Sequence, residues 1–148
     1  MARQLMSSAK IVRVMNGAAA GTTDVLTSSA IDTSGYSSVT IVAAVGTLTS
    51  GAVTTLKLQQ SSDDAGADDY SDILGSSQAW ADDDDNQQII AEVHRPGKRY
   101  IKALITRATA NAVVDGIWAI LYNANQTPSA DTSTASTEVH VTPAEGTA

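Results

Sequence analysis

Apolar residues recur at every second position through most of this chain. The run from Tyr36 to Gly46, YSSVTIVAAVG, is the strongest: Val39, Ile41, Ala43 and Val45 fall on one face of an extended strand, with Val42 and Ala44 on the other. Two apolar faces predict an inner strand, or one whose second face is covered by a neighbouring subunit. In Val53 to Ser61, Leu56 and Leu58 alternate with Thr55, Lys57 and Gln59, the pattern of a half-solvated strand. Ile11 to Met15 and Gln87 to Val93 read as strands, as does Tyr100 to Arg107 with Ile101, Ala103 and Ile105 on one side. A closing strand over Val113 to Asn123 reads with Val114, Trp118, Ile120 and Tyr122 on one face. Thr22 to Asp32 is β-prone but interrupted, and YSDIL (70–74) offers a short strand.

Turn residues separate these runs. Asn16-Gly17 readily takes the positive φ values of a tight turn, and Pro96-Gly97 suits the middle of a β-turn. GAAAG (17–21) reads as one helical turn or a small-residue loop, and no stretch shows the i+3/i+4 recurrence of a helix. About eight strands at short spacing predict an all-β antiparallel sandwich or barrel over residues 1–124. From Asn125 the composition turns to Thr, Ser, Ala and Pro, which marks residues 125–148 as an arm. Within it TEVHVT (137–142) alternates, so Val139 and Val141 are candidates for an arm strand that adds to a sheet edge of its own or a neighbouring subunit.

Composition narrows the classes of function. A chain of 148 residues is one domain in size, and its 43% hydrophobic content supports a folded core. A net charge of −7 opposes nucleic-acid binding, which draws its affinity from clustered Lys and Arg, and disfavours an anionic membrane. There is no cysteine, hence no disulfide, thiol nucleophile or thiolate metal site. The first ten residues lack an apolar run of signal-peptide length, and IVAAV is far too short to span a bilayer, so the protein is expected to stay in the cytoplasm or leave by lysis or assembly.

The stretch from Ser61 to Gln88 holds nine of the sixteen acidic residues, two large aromatics and no basic residue. It does not match the spacing of an EF-hand loop. Asp63, Asp64, Asp68, Asp69 and Asp72 remain candidates for an irregular Ca²⁺ site and Asp82, Asp83, Asp84 and Asp85 for another, although four adjacent aspartates cannot all converge on one ion, because neighbours on an extended chain point to opposite sides. Carboxylates amid Ser, Gly, Asn and Gln read as solvated rather than as an acid–base pair. Serine-hydrolase, phosphate-loop and zinc-protease motifs are missing, and His94 and His140 are too few for an unaided zinc site, so neither an enzyme nor a cofactor is predicted. Trp80 and Tyr70 suit either stacking on a sugar or anchoring one end of the sandwich.

Five of the nine basic residues, Arg95, Lys98, Arg99, Lys102 and Arg107, lie within thirteen positions just after the aspartates. Two readings stay open: neutralisation between neighbouring loops of one chain, or a contact in which Asp82 to Asp85 of one copy face Arg95, Lys98 and Arg99 of another. Phe is absent and Ala and Thr fill many strand positions, so the core is thin, and a homo-oligomer, a trimer in the first instance, is expected to cover the second face of the 39–45 run.

DTSGYSSVTIVAAVG, LKLQQSSDDAGADDYSDILGSS, RYIKALIT and GIWAILYNA, in that order, resemble small structural proteins of tailed-bacteriophage virions, above all the jelly-roll decoration (cement) proteins of the capsid. The likeness spans about Ser38 to Asn123 and is one of strand order and loop composition. It implies a jelly roll without an active site, placed as trimers or other oligomers on the outer capsid surface, bridging neighbouring copies of the major capsid protein. A carbohydrate- or receptor-binding module, or a tail or neck position in the virion, is the alternative.

Overall fold

The run with two apolar faces forms β5 (Tyr36–Leu48), whose Val39, Ile41, Ala43 and Val45 are all but inaccessible. The computed structural model describes residues 5–125, 134–138 and 145. Strand β5 lies between β11 (Ala112–Ala124) and β9 (Gln88–His94), antiparallel to both. With β1 (Lys10–Met15) outside β11 the order is β1-β11-β5-β9, and β2 (Ala18–Gly21) also pairs with β11. In the second sheet β10 (Tyr100–Ala108) lies between β6 (Val53–Ser61) and β3 (Asp24–Thr27). Three short strands complete it: β4 (Ile31–Asp32) on β10, and β7 (Ser71–Asp72) and β8 (Gln78–Trp80) on β6.

The two antiparallel sheets pack face to face as a β-sandwich. Between them lie Ile41, Val45, Leu56, Ile101, Ile105 and Ile117, each at most 1% exposed. The chain alternates between the sheets: β1 and β2, then β3 and β4, then β5, then β6 to β8, then β9, β10 and β11. Counting the short strands with their neighbours gives eight, and the orders β1-β11-β5-β9 and β3-β10-β6-β7 are those of a jelly roll. The predicted alternation holds on β6 and β10, where Leu56, Leu58, Ile101, Ala103 and Ile105 point inward.

Four expectations need correction. Val114 does not share a face with Trp118, Ile120 and Tyr122, because register shifts on either side of it form bulges that turn the rest of β11 over. Beyond Gly116 (φ 147°) the inward residues are Ile117, Ala119 and Leu121, and Trp118, Ile120 and Tyr122 point away from the core. GAAAG contains β2 rather than a helical turn or loop, while a four-residue helix, α1 (Leu5–Ser8), stands where no helix is expected. Neither Asn16 nor Gly17 takes a positive φ. The connection that holds Pro96-Gly97 carries the chain from β9 in one sheet to β10 in the other.

Candidate functional site

At the end of β6 the buried Ser61 hydroxyl meets the backbone carbonyls of Asp63 and Asp68, each at 2.6 Å, and so draws the first acidic loop back on itself. Within the loop the Asp63 carboxylate accepts from the amides of Ala65 and Ala67, at 3.0 and 2.8 Å, an Asx-type turn that uses the acid to shape the chain. Asp68 accepts from the Ser62 amide and hydroxyl and from Lys98 Nζ at 2.7 Å. Asp64 accepts from the Tyr70 hydroxyl at 2.7 Å and pairs with Lys102 at 3.2 Å, and the Lys102 ammonium sits 4.0 Å from the centre of the Tyr70 ring. Asp72 takes Lys57 and Gln59, at 3.0 and 2.7 Å.

These contacts set the protonation of the loop. The Lys98 ammonium, followed by the Ser62 donors, holds the Asp68 carboxyl well below the usual carboxylate range. Asp64 is lowered chiefly by the Tyr70 hydroxyl and Asp72 chiefly by Gln59. Burial, then the hydrogen bond to Asp64, pushes the Tyr70 phenol upward.

The second acidic run serves the backbone too. Asp82 accepts from the Gly51 amide, Asp84 from the Ala81 amide at 2.8 Å, and Asp85 from the Leu48 amide at 2.6 Å, so three of the four aspartates pin their own turn and the β5–β6 connection. Asp83 is exposed. The basic cluster finds its carboxylates elsewhere: Lys98 on Asp68, Lys102 on Asp64, Arg99 bidentate on Asp32 at 2.9 and 2.7 Å, and Arg107 on Asp24. Arg95 is exposed, with a left-handed φ of 52°. Within one molecule, then, Arg95, Lys98 and Arg99 are not brought to Asp82–Asp85; ion pairs within the chain take up four of the five clustered cations, of which Lys98 and Lys102 pair with the first acidic loop. Val139 and Val141 lie outside the described residues, as does His140; Thr137 and Glu138 are exposed and belong to no strand.

Among the described residues no group of three or more His, Asp or Glu is arranged to hold a metal ion. Trp80 is 4% exposed and packs in the core, opposite Thr54 on β6, and the Trp80 Nε1 and Thr54 Oγ1 atoms are buried with no hydrogen-bond partner. Of the two rings of the sugar-stacking reading, Trp80 is internal, and the half-buried Tyr70 has Lys102 over one face. Ser38 Oγ lies 2.7 Å from His94 Nδ1, the spacing of a nucleophile and its base, but Ser38 has no accessible surface and a substrate has no path to it. A cavity of about 280 Å³ opens between β9 and the β7–β8 connection, lined by Ile73, Ile90 and Val93, with Leu74 fully exposed at its rim.

Sequence reasoning missed Asp24 and Asp32, because their arginine partners lie 83 and 67 residues away and no local pattern links them. The pairs make a testable acid limb. Asp24, Asp32, Asp64, Asp68 and Asp72 all have folded values depressed below the ordinary 3.8, so the stability they confer is complete above that value and is lost as pH falls below it. Thermal melts are expected to hold a steady midpoint through mildly acidic pH and to fall below about pH 4. An Asp32→Asn, Asp68→Asn double variant, less stable at neutral pH, is expected to show a shallower acid limb; equal slopes would refute the assignment.

Fold and surface together define a β-sandwich whose conspicuous charged groups are spent on holding its own loops. Compared with known proteins, the chain matches no family model and no curated protein sequence.

Proposed function

We propose that this protein is a structural component of a tailed-phage virion, a decoration protein that is made in the host cytoplasm, self-associates, and binds the outer capsid surface to bridge and stabilise subunits of the major capsid protein. The observation that carries this reading is that the segments bearing the likeness to decoration proteins, β5, β6 to β8, β10 and β11, are the strands that build a jelly roll. The use of carboxylates as internal caps and ion-pair partners also fits a binding role without a catalytic centre. An oligomer gripping several capsid subunits needs only modest affinity per contact, because later attachments are effectively intramolecular. A net charge of −7 would help to keep decorated particles from associating.

The experiment is reconstitution. Purified protein mixed with expanded capsids that lack it is expected to co-sediment at a fixed copy number per particle and to raise the melting temperature of the shell. Capsids that pellet without it would remove the proposal.

A further inference from the structure

The two outer faces of the sandwich differ in kind. On the β6–β10 sheet the outward side chains are mixed: Leu104, Val25 and Val53 stand among Thr55, Lys57, Gln59, Lys102 and Thr106, and Lys57 is paired to Asp72. On the β5–β11 sheet, cross-strand register lines up Arg13, Trp118, Val42 and Ile90 in one row. The adjacent row is Ile11, Ile120, Thr40 and Glu92. The centre is apolar and half-buried, and Ile90 is 55% exposed. Among the described residues all strands belong to the two sheets, and none of them covers this face.

Its borders carry opposite charges. Arg13, on edge strand β1, lies 5.9 Å from the Trp118 ring centre and has no carboxylate within ion-pair distance among the described residues. Glu92, on the opposite edge strand β9, has its carboxylate oriented by a hydrogen bond from the Tyr122 hydroxyl. A face with an apolar middle, a cation on one border and an anion on the other is complementary to itself under a two-fold rotation.

We infer that this face joins two copies of the chain, sheet against sheet, about a two-fold axis running along the strands between β11 and β5. The rotation lays β1 of each copy over β9 of the other, with β11 over β5. Each Arg13 then stands near Glu92 of the second copy, one row over, and two such pairs flank a middle of Trp118, Ile120 and Val42. Facing sheets sit about 10 Å apart, a gap that an arginine side chain spans. Trp118 is the central anchor, the residue type that most often dominates such contacts. This pairing gives a definite form to the self-association in the proposed function and needs no capsid for its test. It selects a two-fold pair where the sequence alone suggested a trimer.

The test is sedimentation velocity on the full-length purified protein with two charge reversals and their combination. Wild type is expected to be a dimer at tens of micromolar. Arg13→Glu and Glu92→Arg are each expected to weaken it roughly tenfold or more, and the double variant to restore affinity to within about threefold of wild type, as coupled charges do. Lys57→Glu, on the other outer face, is expected to leave association unchanged, with thermal melts showing all four variants folded. A monomeric wild type would overturn the inference, and so would a dimer or trimer indifferent to the reversals. Co-sedimentation of the same variants with capsids reads the decoration role separately.

Discussion

Replacing Arg107 by alanine is expected to destabilise the fold by about 3–4 kcal/mol, enough to lower the melting midpoint by roughly 10 °C in a domain of this size. The side chain is 5% exposed, yet it starts on β10 in one sheet and ends among strands of the other. Its Nη1 donates to the carbonyls of Ala19 on β2 and Ala112 on β11, at 2.6 and 2.7 Å, while Nε and Nη2 grip both oxygens of Asp24 on β3. One guanidinium therefore ties four strands and both sheets at one end of the sandwich. Truncation leaves two carbonyls and a carboxylate without donors and opens a void where an extended side chain lay. The Asp24 side chain is 40% exposed, so water rescues part of that loss, and for this reason the lower end of the range for broken buried ion pairs is the expected one. Asp24→Asn, which keeps an acceptor, is expected to cost only about 1 kcal/mol. Urea unfolding of the three proteins measures both; a loss below 1 kcal/mol for Arg107→Ala would show that the crossing arginine is dispensable. Gly21 belongs to the same arrangement, since a Cβ there would lie 2.5 Å from Arg107 Nη2.

Gly116→Val is expected to cost about 2–3 kcal/mol, through positive-φ strain and a backbone collision together. Gly116 has φ 147°, and an added Cβ would stand 3.0 Å from the Met15 carbonyl oxygen and 3.2 Å from the edge of the Trp118 ring. The contact with Met15 is with main chain, which cannot swing aside. Because the residue sits in the bulge that turns β11 over, relief of the strain would shift Ile117, Ala119 and Leu121 relative to the core as well. Denaturant titration gives the energy, and near-ultraviolet circular dichroism in a Trp80→Phe background, where Trp118 is the remaining tryptophan, reports whether the outer face is disturbed. Native stability and an unaltered tryptophan signal would show that the bulge tolerates a side chain.

What was legible in the residues and what was not follows from range. The inward sets Val39, Ile41, Ala43 and Val45 on β5, and Ile101, Ala103 and Ile105 on β10, are dictated by a two-residue period that any strand obeys, so alternation alone finds them. The turned-over half of β11 was hidden because a bulge inserts a residue without altering the composition of the run; only Asp115-Gly116 inside an apolar segment hints at it. β2 was misread because Ala18 to Gly21 are small, with low intrinsic preference for strands, and what holds them extended is pairing with β11, far along the chain. The acidic loops were visible as charge, but whether an aspartate faces water, a metal or a backbone amide depends on loop curvature that local spacing does not encode. Trp80 is the clearest case: the same residue serves a sugar platform or a core, and only the pairing of β8 with β6 places it inside.

The pairing of β1 with β11 also bears on how the polypeptide acquires its shape during synthesis. The strand made first waits, without its neighbour, until the strand over a hundred residues later has left the ribosome. β5 likewise gains β11 only then. Neither half of the nascent chain can complete the first sheet alone, so its closure comes after translation of the domain, at the slow pace of long-range β pairing, and a product cut short before Ala112 would leave β1, β2 and β5 each with an unmatched edge prone to clumping.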